Sequence, residues 1–198
     1  MKVIGITGGV GAGKSRILTY LEEKYQARIL MADQAAHRVK EKGQSCYEPL
    51  VSLLGREVLD EQGEIHKGRM AAMIFSEQKL LLQVNEIIHP EVRKYILEQI
   101  ELERKKGTTK FFFLEAALLI EEHYDEICDE LWYIYAEDSI RISRLMESRG
   151  YSREKALQIM KGQLLDEEFR KGCQFVIDNS GRLERALEQI DRKLGEYL

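Results

Sequence analysis

Near its start the chain runs Gly8-Gly9-Val10-Gly11-Ala12-Gly13-Lys14-Ser15, and no other stretch constrains the fold as much. The run fits G-x-x-x-x-G-K-[ST] without a gap. Glycines there let successive backbone N–H groups converge on phosphate oxygens, at dihedrals that a β-carbon obstructs. Lys14 is suited to reach the β- and γ-phosphates of a nucleotide, and the Ser15 hydroxyl to ligate magnesium. A loop of this kind works between a strand and a helix, and the flanks supply both. Val3-Ile4-Gly5-Ile6-Thr7 reads as a short buried strand. Ile17, Leu18 and Leu21 recur at helical spacing from about Lys14 to Tyr25. That helix turns the positive end of its dipole toward a bound phosphate.

The remaining pattern alternates in the same way. Arg28 to Met31 reads as a second strand, with a helix after it that Asp33 opens. Phe111-Phe112-Phe113-Leu114, Leu131-Trp132-Tyr133-Ile134-Tyr135 and Phe175-Val176-Ile177 are three further strand signals. From about Ala35 to Lys106 the pattern is helical, broken by turns at Gly43, Gly55 and Gly63. Its last helix is expected to start beside His89-Pro90, because proline suits a first helical turn. A charged helical stretch runs from about Ser139 to Gly172, and a final helix from about Leu183 to Tyr197. Strands alternating with helices imply an α/β fold with a parallel sheet. The two helical excursions are then expected over the carboxyl ends of the strands, where such sheets bind ligands.

A length of 198 residues with 44% hydrophobic and 32% charged content suits one globular enzyme domain. The net charge of −4 offers no basic field for nucleic acid. The longest apolar run, residues 111–120, is interrupted by Glu115 and is too short to span a bilayer. Three cysteines without a C-x-x-C pair suggest a reduced, cytoplasmic protein. His37, His66, His89 and His123 have no metal-ligand spacing with one another or with cysteine.

A phosphate loop alone does not separate kinases from switches and motors. No N/T-K-x-D box for guanine is present, and Asp60-Glu61-Gln62-Gly63, which fits D-x-x-G, sits at no strand end. A motor would need paired acids closing a strand, whereas Phe111 to Glu115 supplies a single one. A kinase for a small molecule needs a carboxylate beside the acceptor hydroxyl and arginines over the phosphates. Asp33, just past the second strand, fits the first need, and is equally placed to cap the helix that follows. The two roles are compatible. Arg141, Arg144, Arg149 and Arg153 fit the second need; each is also readable as a solvated helix residue paired with Glu137, Glu147 or Glu154.

The motifs in combination resemble the dephospho-coenzyme A kinase family over essentially the whole chain. They are Ile4 through Ser15, Ala32-Asp33 with Ala36, and the pattern from Gly63 to Phe75. Farther on come Ile88-His89-Pro90, Ala117-Leu118-Leu119-Ile120-Glu121, Arg144-Leu145-Met146, Gln163 and Val176-Ile177-Asp178-Asn179-Ser180-Gly181. The resemblance implies a P-loop NTPase fold, with about five parallel strands flanked by helices. It further implies helical substrate-binding and lid excursions. Residues 1–30, 108–138 and 173–198 would form the nucleotide-binding core, 31–107 an acceptor-binding domain, and 139–172 the lid. The implied reaction moves the ATP γ-phosphate onto the ribose 3′-hydroxyl of dephospho-coenzyme A, with Mg2+. Another P-loop small-molecule kinase and a non-catalytic nucleotide switch are the alternatives. No nucleic acid or membrane partner is expected; a monomer is compatible with the sequence.

The family's roles fall on Asp33, Lys14 and Arg144 as catalytic residues. ATP is assigned to Gly9, Val10, Gly11, Ala12, Gly13, Lys14, Ser15, Arg16, Arg144 and Asn179, and the acceptor to Thr7, Asp33, His37, Lys67 and His89. Ser15 would ligate Mg2+, with Glu115 supporting the metal from one step back. Several positions depart from the family pattern. Met31 replaces its first aspartate, and His37 an arginine for which the adjacent Arg38 could substitute. Lys67 replaces an arginine, giving a point charge in place of a fork. Arg16 stands where threonine is frequent, Ala117 replaces a proline, and Ser148-Arg149 reverses the position of a second lid arginine.

Overall fold

The computed structural model describes residues 1–198, the side chain of Ser76 excepted. Five strands form one sheet: β1 (Lys2–Thr7), β2 (Arg28–Met31), β3 (Phe111–Glu115), β4 (Glu130–Tyr135) and β5 (Phe175–Asp178). Their order is β2-β3-β1-β4-β5. Strand β1 pairs in parallel with β3 (Ile6 opposite Glu115) and with β4 (Thr7 opposite Tyr133), and β4 pairs in parallel with β5. Because β1 is central, with neighbours reached by separate crossovers, the loop leaving it occupies a topological switch point. Strands buried on both faces read as continuous apolar runs, and Phe112, Phe113, Leu114 and Trp132 are all fully buried.

The helices are α1 (Lys14–Tyr25), α2 (Ala32–Arg38), α3 (Tyr47–Leu54), α4 (Lys67–Ser76), α5 (Gln78–Lys106), α6 (Asp138–Arg149), α7 (Arg153–Lys161), α8 (Asp166–Gly172) and α9 (Leu183–Gly195). The chain divides into two units, Met1–Ile29 with Lys106–Leu198, and Leu30–Lys105. In the first unit, Ile17 and Leu21 of α1 and Ala186, Ile190 and Leu194 of α9 share a core with Ile4, Ile6, Phe113, Trp132 and Ile177. Burying each of the larger side chains contributes about 1.5–3 kcal/mol.

The charged stretch after β4 is three helices. Gly150 ends α6 in a left-handed conformation, and Ser152 caps α7 by accepting from Lys155 N at 3.2 Å. Glu168 reaches back to Leu165 N at 2.7 Å to open α8. Ile142, Leu145 and Ala156 form a small core of their own, onto which Val10 of the phosphate loop packs.

In the second unit the expectation that a helix starts at His89-Pro90 fails. Helix α5 runs unbroken from Gln78 through Pro90 to Lys106. Val84, Ile88, Val92, Ile96 and Ile100 repeat every fourth residue and are all buried. That stripe outweighs the backbone hydrogen bond that proline forgoes.

Candidate functional site

The first unit brings most of the expected nucleotide residues together around the loop between β1 and α1. Thr7 ends β1, fully buried, and its hydroxyl has no partner among the described residues. Lys14 folds back over the loop, donating to Gly8 O at 2.6 Å, and stands 3.7 Å from the Glu115 carboxylate at the end of β3. Ser15 is exposed in the first turn of α1, followed by Arg16, also exposed.

Two arginines one turn apart on α6 lie against this loop. Arg141 Nε donates to Val10 O at 3.0 Å and Nη2 to the Gln163 side-chain oxygen at 2.7 Å. The same Gln163 oxygen accepts from Val10 N at 3.0 Å, so loop, helix and glutamine close a triangle. A β-carbon on Gly9 would sit 2.2 Å from Arg141 Nη2, so only glycine admits the guanidinium at that position. Arg144 Nη1 donates to Ala12 O at 3.2 Å and Nη2 to Asn179 O at 2.8 Å. Burial, then the repulsion of Arg16, lower the affinity of Arg144 for its proton; a guanidinium nevertheless stays charged at any working pH.

Asn179 follows β5 and is 2% exposed. Its amide donates to Ala12 O at 2.7 Å, its backbone N–H to Tyr135 O at 2.8 Å, and its side-chain oxygen is buried with no partner among the described residues. Gly13, at φ 92°, begins α1 directly against it: a β-carbon there would stand 2.4 Å from the Asn179 amide nitrogen. The turn after β5 therefore supports the phosphate loop. Beyond Arg141 an open pocket of about 240 Å³ is lined by Tyr133, Tyr135, Leu157, Met160 and Leu165.

Arg149 and Arg153 are exposed. Ser148, in the position next to Arg149, donates to Arg144 O at 2.6 Å. Arg141 is one of the four arginines that the sequence offers for closing over the phosphates, and Gln163 one of the residues that carry the resemblance, but neither is among those assigned to ATP. One signal was available: Arg141 lies three residues before Arg144, hence on the same face of α6.

In the second unit, Asp33 is exposed in the first turn of α2, just past β2. It does not cap that helix, contrary to one of its two expected roles. The helix begins at Ala32 with Met31 as its N-cap, so Asp33 is already inside the helix, and no side chain caps α2. His37 is exposed one turn on, Lys67 opens α4 behind its cap His66, and His89 is half-buried in the middle of α5.

The donor set suits a magnesium ion carried in on phosphates. Mg2+ usually takes one or two protein oxygens and keeps phosphate and water ligands for the rest. Ser15 and Glu115 supply a hydroxyl and a buried carboxylate beside the loop. Among the described residues no group of three His, Cys, Asp or Glu could hold a metal by itself.

A glycine loop with its lysine at a central strand, clasped by two arginines of α6, defines a P-loop kinase. Solved structures agree on the fold. One from Thermus thermophilus superposes with a TM-score of 0.82 at 28% identity, over 100% of this chain and 98% of that one. A dephospho-CoA kinase from Campylobacter jejuni does so at 0.74 and 22% identity, over 100% and 98%. The chain belongs to the dephospho-CoA kinase family, whose model matches residues 2–185. It is 34% identical to the dephospho-CoA kinase of Carboxydothermus hydrogenoformans, over 96% of this chain and 91% of that protein. Identity to that of Streptococcus mutans is also 34%, over 98% and 96%.

Proposed function

We propose that the chain transfers the γ-phosphate of ATP to the ribose 3′-hydroxyl of dephospho-coenzyme A, the closing step of coenzyme A synthesis. The observation that carries this reading is the seating of Arg141 and Arg144 on the phosphate loop. A kinase needs a cation where charge spreads over the transferring phosphoryl group, and a loop held firmly beneath it. The choice of acceptor follows from membership of the family.

Each residue then has a task. Backbone N–H groups of the loop hold the phosphates, and Lys14 contacts the β- and γ-phosphates, exchanging its bond to Gly8 O for them. Magnesium, held by the Ser15 hydroxyl with Glu115 in support, would neutralise phosphate charge. Asp33, not engaged as a helix cap, orients the acceptor hydroxyl and accepts its proton. Arg144 stabilises the charge that develops as the phosphoryl group moves, and Arg141 with Gln163 fixes the loop. The turn Asp178-Asn179-Ser180-Gly181 takes the adenine. Residues 31–107 serve as the acceptor-binding part, with His37, Lys67 and His89 contacting it, and residues 139–172 as the lid. We place the enzyme in the cytoplasm, where its three buried free cysteines stay reduced; among the described residues no helix is long and apolar enough to cross a membrane.

An acceptor panel tests the reading. ADP release should depend on dephospho-coenzyme A and stay at background with adenosine monophosphate or shikimate. Turnover of either of those, with dephospho-coenzyme A ignored, would refute it.

A further inference from the structure

Within the second unit a lysine with no assigned role shares the face of α2 that carries Asp33. Asp33, His37 and Lys40 stand at i, i+4 and i+7, which is one side of a helix and of the turn that prolongs it. That turn is fixed: Lys40 N donates to His37 O at 3.1 Å, and Cys46 N to Val39 O at 3.0 Å. Two residues on, Lys42 N donates to the Glu64 carboxylate at 3.1 Å. This bond seats the turn against the segment that leads through His66 into Lys67. Lys40 is half-buried there, with a second ammonium, Lys67, bearing on it from the start of α4.

Nearby arginines are engaged elsewhere. Exposed Arg38 pairs with Glu41, and Arg69 donates to Leu59 O. Neither Lys40 nor Lys67 takes part in an ion pair among the described residues. An ammonium partly out of water loses hydration, and a like charge bearing on it adds repulsion. Burial, and then Lys67, depress the Lys40 ammonium below the ordinary lysine range; Cys46 at the head of α3 and Asp33 oppose them. Glu91 on α5 bears on Cys46 in turn. A bound anion offsets both costs at Lys40.

We propose that Lys40, together with Lys67, binds the 5′-diphosphate of the acceptor nucleotide while Asp33 engages its 3′-hydroxyl. At helical rise the step from Asp33 along α2 and the turn after it spans about 10 Å, and the flexible lysine stem adjusts that separation to one nucleotide. Lys40 thus supplies the cation beside His37, in place of Arg38. The assignment rests on the reading of Asp33 as the acceptor's carboxylate.

Steady-state kinetics with both substrates, on wild type, Lys40→Gln, Lys40→Arg and Arg38→Gln, decide it. Lys40→Gln should raise KM for dephospho-coenzyme A roughly ten- to a hundredfold, the range for a charge-assisted hydrogen bond. KM for ATP should stay within about twofold, Lys40→Arg should restore most of the loss, and Arg38→Gln should behave as wild type. In wild type, kcat/KM for dephospho-coenzyme A should fall as pH rises through the depressed Lys40 value. In Lys40→Arg that limb should be gone, since arginine keeps its charge. An unchanged KM for dephospho-coenzyme A in Lys40→Gln, or an equal rise in KM for ATP, would overturn the proposal. If wild type did not phosphorylate dephospho-coenzyme A, the functional reading would fail separately. The lysine pair would then be judged by titrating inorganic pyrophosphate into protein saturated with a non-hydrolysable ATP analogue. Weaker binding in Lys40→Gln would support the pair, and equal binding would sink it.

Discussion

Arg144 and Asn179 grip the same carbonyl: both donate to Ala12 O, at 3.2 and 2.7 Å, while Arg144 also donates to Asn179 O at 2.8 Å. The helix after β4 and the turn after β5 are thereby locked to one point of the phosphate loop. Groups sharing partners in this way do not contribute additively. Arg144→Ala should lower turnover and weaken ATP, and Asn179→Ala should lower stability and weaken ATP. The double variant should miss the sum of the single effects on ATP affinity by at least about 0.5 kcal/mol, read by calorimetric titration.

Asp33→Asn should leave ATP affinity nearly intact and reduce kcat by at least ~100-fold, the lower range for losing a general base. Because Asp33 caps no helix, the melting temperature should scarcely move. A loss of tenfold or less would leave Asp33 an orienting role only.

Gly13→Ala should abolish ATP binding. The residue has φ 92°, and its new β-carbon would stand 2.4 Å from the Asn179 amide nitrogen. Relief requires the asparagine or the start of α1 to shift, at about 1–3 kcal/mol for overpacking in addition to backbone strain. Thermal melting and nucleotide titration of the same sample separate the two effects.

Acid stability should depend on Asp191. Burial raises its pKa, but hydrogen bonds from Lys24, Tyr25 and Tyr20 more than offset this and hold the carboxyl below the ordinary aspartate range. Its folded value lies below the unfolded one. The contribution is therefore complete above about pH 4 and is lost as pH falls through the folded value. Asp191→Asn should lower the melting temperature at pH 7 and narrow its gap to wild type below pH 4. A gap independent of pH would contradict this.

Pattern is legible in a sequence when its cause is local. The loop from Gly8 to Ser15 and the strand Phe111–Glu115 were readable because turn chemistry and apolar runs are written in consecutive residues. Pro90 misled for the same reason: its local preference points to a helix start, whereas the buried stripe from Val84 to Ile100 decides the matter. Asp33 was open between cap and site because one residue in the position of the helix start exchanges the two roles. Gln163 meets Val10 across 153 residues, and no spacing rule reaches that far. Arg141 and Arg149 look alike in sequence, yet only the first points at the loop. Lys40 is not distinguishable from surface lysines by spacing, because the turn after α2 that half-buries it is fixed by bonds to residues distant in sequence.

The most direct test is the identity of the product. Purified chain, ATP, magnesium and dephospho-coenzyme A should yield ADP and coenzyme A in equal amounts, with a new phosphomonoester signal by 31P NMR that a 3′-nucleotidase removes. ATP consumption without that ester, or phosphate at another hydroxyl, would contradict the account.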